Sequence, residues 1–387
     1  MKHPIYLDYA AATPLDDRVI ESMQPYQKDK FYNPSATYLK ARNVRKDLEN
    51  ARDKIALTLG VKSHEIIFTA GGTEANNLAI KGTLDSFKDA HLIISSIEHE
   101  SVVEPALNYR HSIAEVSATG TLIVNQLLSL VTDRTVLISV IYANNEVGTI
   151  QPLRKLSEGL KQIRGERLKK GNKTPIYFHT DATQAANYLD LHAHSIGVDL
   201  MTLNGGKIYG PKQSGILFVA SGVKLKPLIS GGGQELGLRN GTENVAADIG
   251  LAKALELARS VSDSEKLRLR KIQEHFFSEL KNKFPKAVIN GDKKNRLPNN
   301  VHVTFPNIDN EWLLIKLDEA GILAASGSAC SASKQESSHV LRAMGISDKQ
   351  ARSSVRFTMG KNTSLQDIDE VLRVLGQLVH KNSKIVY

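Results

Sequence analysis

Short apolar runs rich in β-branched residues alternate with stretches of helical spacing along the first part of the chain. The runs are EIIFTA (65–70), HLIISSI (91–97), TVLISVIYA (135–143), PIYFHT (175–180), DLMTL (199–203) and GILFVA (215–220). Runs of this length predict strands, and the stretches between them, such as 153–167, predict helices. Because such strands are apolar on both faces, the alternation predicts an α/β fold with a mostly parallel sheet covered by helices.

A long amphipathic stretch, 245–284, interrupts this alternation. After it come the strand-like run NNVHVTF (299–305), a loop around Cys330 and a helical pattern over 365–379. A chain of 387 residues is long enough for two cores. We therefore expect a large domain over 15–262 and a smaller α+β domain over 263–387, which packs with residues 1–14.

The composition is that of an ordinary globular protein, with 41% hydrophobic and 24% charged residues. No apolar run approaches the roughly 18 residues of a membrane span, and the start, MKHPIYLDYAAATPL, lacks the apolar core of a signal peptide. The single cysteine, Cys330, excludes an internal disulfide and fits a reducing compartment. These features predict a cytoplasmic protein with no membrane partner.

The net charge of +9 is compatible with a nucleic acid, an acidic protein or an anionic ligand. The basic residues are scattered, and their densest group, 161–175, has the pattern of a helix end that runs into a loop. Neither zinc-finger spacing nor an aromatic-plus-basic RNA signature accompanies it. This pattern favours a solvated face, so we expect no direct nucleic-acid partner.

Polar residues follow the predicted strands. Because the carboxyl ends of parallel strands meet at one edge of a sheet, we expect these residues to form one site. The expected members are Thr73, His99, Asn145, Asp181, Gln184 and Lys207. Two histidines in HAH (192–194) do not make a metal site, so no metal is expected.

Each member of this set also has a purely structural interpretation. The AGGT stretch, 70–73, predicts either a tight turn with a helix cap or a phosphate-binding turn. His99 is compatible with a core histidine, and Asp181 is compatible with a helix cap. Lys207 is either a partly buried cation that needs a partner or an amine held for Schiff-base chemistry.

Together, a phosphate turn, an aspartate, an imidazole and a buried lysine match what pyridoxal phosphate requires. Ordered motifs run along nearly the whole chain: YLDYAAATP, NPSA, GGTEANNLAIKG, EHESV, NNEVGTIQP, HTDATQ, GGKIYGPK, RNGTENV, ASGSACSAS, SHVLRAMG and SSVRFTMG. In these motifs the sequence resembles the cysteine desulfurases of the NifS-like group. This group lies among the class-V aminotransferase relatives of the fold-type-I pyridoxal phosphate enzymes.

The resemblance implies the fold type I architecture, a homodimer and a reaction. L-cysteine would lose its sulfur and become L-alanine, while Cys330 would carry the sulfur as a persulfide. An acceptor protein, either an iron–sulfur scaffold or a tRNA-thiolation enzyme, would then receive the sulfur.

The resemblance also implies roles for the residues around the cofactor ring. Lys207 would form the Schiff base and, once freed, would take the α-proton as a general base. Asp181 would hold the pyridine nitrogen protonated, and Gln184 would bond to the phenolic oxygen. His99 would stack on the ring and take part in catalysis.

At the cofactor phosphate, Gly72 and Thr73 would bind, and Thr242 would reach the phosphate of the other subunit's cofactor. Most relatives carry a histidine and a serine where this chain has Gly206 and Asn204. An amide donates only a neutral hydrogen bond and glycine offers no side chain, so the hold on the phosphate is expected to be about tenfold to thirtyfold weaker. The helix start after Gly72 and the bond to Lys207 remain, so cofactor binding is expected to survive. Whether a water or a basic side chain from elsewhere fills the gap stays open on the sequence.

For the substrate, the resemblance implies contacts from Asn33, Asn145 and Arg356, of which Asn145 would also touch the cofactor. Arg356 would bind the carboxylate through paired hydrogen bonds; the alternative is a structural salt bridge to a protein acid. Cys330 would be the nucleophile, because its surroundings, ASGSACSASKQESS, are too small and polar for a core.

Three other functions remain open on the sequence. A selenocysteine lyase or a class-V aminotransferase would share the cofactor site, although transamination needs no thiol such as Cys330. A protein that has lost cofactor binding and serves as a partner protein is the third.

Overall fold

The computed structural model describes residues 4–327 and 337–382. Cys330 therefore lies outside the described residues. The strands are β1 (Ile5–Tyr6), β2 (Ile66–Thr69), β3 (His91–Ser95), β4 (Arg110–Ala114), β5 (Thr135–Ser139), β6 (Tyr177–Asp181), β7 (Leu200–Asn204), β8 (Gly215–Val219), β9 (Val288–Ile289), β10 (Asn300–Thr304), β11 (Ile322–Leu323) and β12 (Ser354–Thr358).

The α-helices of the described ranges lie between and after these strands. They are α1 (Asp17–Lys28), α2 (Leu39–Leu59), α3 (Gly72–Asn77), α4 (Glu100–Ala106), α5 (Val124–Ser129), α6 (Leu153–Lys169), α7 (Ala193–Ile196), α8 (Val245–Ser260), α9 (Ser262–Lys283), α10 (Asn310–Glu319), α11 (His339–Ala343), α12 (Asp348–Ala351) and α13 (Leu365–Asn382). A π-helical turn, Leu78–Gly82, directly continues α3. In the described ranges, no helix combines the length and apolarity needed to cross a bilayer.

The main sheet has seven strands in the order β2-β8-β7-β6-β5-β3-β4. Strand β8 runs antiparallel to both of its neighbours, and the other pairs are parallel. All six apolar runs form strands of this sheet, so the predicted mostly parallel sheet is confirmed.

Strand β4 was not predicted from the sequence. It lies at the edge of the sheet, and only Ala114 among its residues is buried. An edge strand that is partly exposed needs no continuous apolar run, so its sequence, RHSIA, lacks the signal that identified the other strands.

Successive residues of the strands point to opposite faces of the sheet. Ile66 and Phe68 pack in the core that contains α2, α6 and α8, whereas Ile67 packs in the core on the side of α3 and α4. The sheet is therefore a middle layer between two helical layers, as the sequence predicted.

A second core is formed mainly by the C-terminal part of the chain. It lies between the antiparallel sheet β12-β10-β9 and the helices α9, α10 and α13, and it also contains Leu7 from the N-terminal segment. The amphipathic stretch 245–284 forms two helices that meet at Val261. The domain boundary expected near residue 263 stays a prediction.

Because β8 is antiparallel to both β2 and β7, β2 and β7 run in the same direction. The carboxyl ends of β2, β3, β5, β6 and β7 consequently lie along one rim of the sheet. This rim is where the candidate site is found.

The second core provides a test of the packing. Phe357 on β12 is fully buried, and its ring lies 5.5 Å from the ring of Phe276 on α9. Phe357→Ala should lower the free energy of unfolding, measured with urea, by about 3–5 kcal/mol because it leaves a cavity. Phe31, which is 69% exposed, is the control. Phe31→Ala should change the free energy of unfolding by less than about 0.5 kcal/mol. Equal losses in the two variants would contradict this packing.

Candidate active site

A cavity of about 280 Å³ opens at the carboxyl ends of the central strands. The following sequence-predicted residues line it: Gly72, Thr73, His99, Asn145, Asp181, Gln184, Asn204, Lys207 and Arg356. Gly206 lines an adjoining cavity of about 660 Å³, which shares Gly72, Thr73, Asn204 and Lys207 with the first. The structure thus brings together side chains from strands that are far apart in sequence.

The turn between β2 and α3 forms one end of the cavity. Gly71 has a φ of +141°, which only glycine adopts without strain, and α3 begins at the next residue. No side chain caps the start of α3, so its first N–H groups are available to a ligand. A helix start with free N–H groups suits an anion.

Asn204 lies across from this turn. Its Oδ1 accepts a hydrogen bond from the Gly206 N–H (3.0 Å), which fixes the orientation of the amide. A Cβ at Gly72 would lie 3.4 Å from Asn204 Nδ2, so the amide N–H groups are next to the first turn of α3. Asn204 is therefore placed to donate to the same anion.

Lys207 ends the short 3-10 turn that follows β7. Its side chain is partly buried, and its Nζ donates to the carbonyl oxygen of Ala11 in the N-terminal segment. The backbone carbonyl of Lys207 accepts a hydrogen bond from Asn187 Nδ2 at 2.8 Å. The lysine is thus held at both its backbone and its amine, with the amine at the cavity.

Asp181 is buried at the end of β6 and is held at both oxygens. Its Oδ1 accepts from the Thr183 N–H (2.9 Å) in the turn after β6, where residues 183–188 form turns and not the helix that the capping alternative assumed. Its Oδ2 accepts from Asn76 Nδ2 (2.8 Å), and this amide also donates to Ser101 Oγ (2.8 Å). The carboxylate therefore has a fixed orientation.

His99 caps the start of α4. Its Nδ1 accepts from the Ser101 N–H (3.1 Å) and lies 2.8 Å from Ser101 Oγ. Because Nδ1 accepts, the proton of the neutral ring is assigned to Nε2. Ser101 thus connects the imidazole of His99 to Asn76 and, through it, to Asp181.

Gln184 follows the same turn, and its Nε2 donates to the carbonyl oxygen of Ala10 (2.9 Å). The Oε1 atom of Gln184 takes no part in this hydrogen bond. Gln184 is fixed to the N-terminal segment as Lys207 is.

Arg356 on β12 is 2% exposed and forms an ion pair with Asp8 (Nη2 to Oδ1, 2.7 Å). Its Nη1 donates to the carbonyl oxygen of Asn145 (3.0 Å). Within residues 4–327 and 337–382, its Nε has no hydrogen-bond partner although it is buried. The protein acid considered as an alternative is thus present, yet these two hydrogen bonds do not use the Nε–H of the guanidinium.

Sequence reasoning gave no role to Asp8, Asn76 or Ser101. Asp8 stands within YLDYAAATP, and Asn76 follows Thr73 by three residues on α3, a spacing that puts both on one face of a helix. That spacing was the available signal for Asn76. The contacts of Asp8 with Arg356 and of Ser101 with Asn76 join segments that sequence spacing does not relate.

Asn33 and Thr242 lie on exposed loops and line neither cavity. Asn33 Oδ1 accepts from the Ser35 N–H at 2.8 Å. Thr242 was expected at the other subunit's cofactor, and the roles of both residues stay predictions. Cys330 lies outside the described residues.

The chemistry of this cavity fits pyridoxal phosphate. Three buried polar atoms of its lining lack a partner among the described residues: Asn76 Oδ1, Thr183 Oγ1 and Arg356 Nε. The helix start and the Asn204 amide suit a phosphate, a fixed carboxylate suits a protonated ring nitrogen, and an amine suits an aldehyde.

The family model described as aminotransferase class-V matches residues 5–371 of the chain. The chain belongs to this family. The resemblance predicted from the motifs is confirmed, and so is pyridoxal phosphate, the cofactor of the family.

Relatives of this chain within the family include proteins named cysteine desulfurase. A protein named cysteine desulfurase IscS from Dictyoglomus turgidum is 42% identical over 388 residues, which cover 98% of this chain and 96% of the relative. A solved structure titled NifS-like protein has a TM-score of 0.89 at 31% identity and covers 97% of this chain and 99% of its own. The structure titled SspA in complex with cysteine has a TM-score of 0.78 at 35% identity, with 92% and 98% covered. The predicted fold type I architecture is confirmed by these likenesses.

Glu98, directly before His99, is a fully buried acid beside the site. Its Oε1 accepts from the Ile141 N–H (2.7 Å) and from Ser95 Oγ, while its Oε2 has no partner among the described residues. Burial, the largest cause, raises the pKa of the Glu98 carboxyl from 4.5 to about 8. Glu98 is therefore protonated in the folded protein at neutral pH.

This raised pKa predicts a pH dependence of stability. Between pH 4.5 and about 8 the folded state keeps a proton that the unfolded state releases, so the stability contributed by Glu98 is lost as pH rises through this range. Glu98→Gln should remove this loss, and urea unfolding at several pH values should show the variant gaining on the original protein as pH rises. The exposed Glu21→Gln should leave the pH profile unchanged. Parallel profiles for Glu98→Gln and the original protein would contradict the buried, protonated state.

Proposed function

We propose that this chain is a pyridoxal phosphate-dependent cysteine desulfurase, which converts L-cysteine to L-alanine and retains the sulfur as a persulfide on Cys330. The observation that carries the proposal is one cavity that joins the Lys207 amine, the fixed Asp181 carboxylate and the buried Arg356 guanidinium. The shared name of the relatives supports the same enzyme class.

Lys207 would hold the cofactor through Nζ. When bound, pyridoxal phosphate supplies an electron sink for negative charge on the substrate. Once its amine is exchanged for that of the substrate, Lys207 Nζ would take the α-proton as a general base. Its anchored backbone keeps the amine at the cavity in both states.

Asp181 would keep a proton on the ring nitrogen. Its two hydrogen bonds, from Thr183 and Asn76, fix the carboxylate before any ligand binds. Such preorganisation avoids a reorientation cost during the reaction. The His99 ring would pack against the cofactor ring, and its link through Ser101 would hold it there.

Arg356 would bind the carboxylate of L-cysteine. Its Nε is the buried donor without a partner in the described part of the chain, and an anion at the cavity would satisfy it. Asp8 and the Asn145 carbonyl each accept one hydrogen bond from the two terminal nitrogens and so act as positioning groups.

Cys330 would be the sulfur acceptor within the enzyme. Its thiolate would attack the sulfur of the substrate, which forms the S–S bond of the persulfide and breaks the substrate's C–S bond. The electron pair of that bond returns to the substrate carbon, which takes a proton and completes alanine. No outside oxidant or reductant is needed.

The remaining assignments stay predictions. We infer a homodimer in which Thr242 reaches the phosphate of the other subunit's cofactor, and we infer that Asn33 orients the substrate. A cytoplasmic location is expected from the composition, and a sulfur acceptor that is an iron–sulfur scaffold or a tRNA-thiolation enzyme is expected from the resemblance.

The nucleophile can be tested by mass. Because Cys330 is the only thiol, Cys330→Ala should keep the absorption band of the bound cofactor but lose nearly all alanine formation. Intact-mass analysis after addition of L-cysteine should show one added sulfur on the original protein and none on the variant. Ser333→Ala, a change in the same segment, should keep the added sulfur. Alanine formation at the original rate in Cys330→Ala would overturn the assignment.

The substrate clamp can be tested by KM. Arg356→Lys keeps the charge but loses the paired donors, so KM for L-cysteine should rise by about tenfold to a hundredfold while the cofactor band is unchanged. Arg52, which is also buried and is paired with Glu235 (2.7 Å), is the matched control. Arg52→Lys should lower the melting temperature without changing KM. An unchanged KM in Arg356→Lys would indicate a purely structural salt bridge.

A further inference from the structure

The cavity at the start of α3 contains few charged groups. Its charged lining residues are Glu74, Lys207 and Lys212. Glu74 is already occupied, since its Oε1 pairs with Arg239 Nε (3.0 Å) and its Oε2 accepts from the Ala70 N–H (2.6 Å). Lys207 donates to Ala11 and would carry the cofactor aldehyde. Lys212 is the remaining cation of this lining.

Lys212 passes beside Gly206. A Cβ built at Gly206 would lie 3.7 Å from Lys212 Cγ and 3.9 Å from Lys212 Cα, which is ordinary contact. The φ angle of Gly206 is outside the left-handed region, so the backbone does not require glycine there. Because residue 206 has no side chain, there is space beside it. The aliphatic part of the Lys212 side chain lies next to this space.

The ammonium of Lys212 is available to a ligand. Among the described residues, its side chain makes no hydrogen bond and no ion pair, and the residue is exposed. Lysine carries its charge on a flexible stem with three donors and binds phosphate as a point charge. An anion at the start of α3 would give Lys212 the partner that the protein does not.

We propose that Lys212 binds the cofactor phosphate and supplies the charged contact that Gly206 cannot provide. The inference rests on the proposed function, because the anion is the phosphate of pyridoxal phosphate. Asn204 Nδ2 and the first N–H groups of α3 donate neutral hydrogen bonds to the same phosphate. The site then has one mobile cation in place of a fixed side chain at position 206.

The test compares two forms of the cofactor, pyridoxal phosphate and pyridoxal, which lacks the phosphate. Both react with the Lys207 amine, so only a phosphate contact separates them. In cofactor-free protein, Lys212→Gln should raise the Kd for pyridoxal phosphate, followed by absorbance, by about tenfold to thirtyfold. The Kd for pyridoxal should not change. Lys224→Gln, an exposed change outside both cavities, should leave both Kd values as they are.

A second variant tests the exchange between the two positions. Gly206→His combined with Lys212→Gln should recover part of the lost affinity for pyridoxal phosphate, because a side chain at position 206 meets only ordinary contacts. The affinity for pyridoxal phosphate should also fall more steeply with salt in the original protein than in Lys212→Gln.

The outcomes separate this inference from the proposed function. If Lys212→Gln binds pyridoxal phosphate as tightly as the original protein does, the inference is overturned and the proposed function is unaffected. Equal weakening for pyridoxal and its phosphate would also overturn it, since Lys212 would then act on the fold of the site. An original protein that binds neither compound would overturn both.

Discussion

A buried cation holds three distant parts of this chain together. Arg356, on a strand of the C-terminal core, pairs with Asp8 of the N-terminal segment and donates to the carbonyl of Asn145 beyond β5. An unpaired buried guanidinium would be costly, so these segments are constrained to meet around it. The antiparallel bridge between Ala325 and Arg356 adds a fourth segment to this point. The contacts of Arg356 with Asp8 and with the Asn145 carbonyl therefore help to fix the position of the cavity relative to both cores.

Hydrogen bonds between neighbouring side chains also fix the geometry of the cavity. Asp181, Asn76, Ser101 and His99 form one chain of hydrogen bonds between 2.8 and 3.1 Å, and it connects the ends of β6 and β3 through α3. Within it each polar group is oriented by the next, so the site's geometry is set before a ligand arrives. Three buried polar atoms of residues that line the cavity, on Asn76, Thr183 and Arg356, have no hydrogen-bond partner among the described residues.

The sequence predicted those features that depend on local pattern. Strands buried on both faces are continuous apolar runs, and the rule for strand ends places Thr73, His99 and Lys207 at one rim. The edge strand β4 escaped prediction because exposure permits polar residues, and the break at Val261 escaped because both helices share an amphipathic pattern. The contact of Asp8 with Arg356 spans 348 residues of chain, and no local signal encodes a partner at that distance.

The antiparallel strand β8 has a consequence for how the site can change over evolution. The pair Asn204 and Gly215 closes a hairpin, so positions 206 and 212 hang from one loop whose ends are fixed by the ladder. A basic side chain can then be gained at one position and lost at the other while every helix and strand keeps its place. The sheet fixes the ends of the loop, while the position in the loop that carries the basic residue can differ.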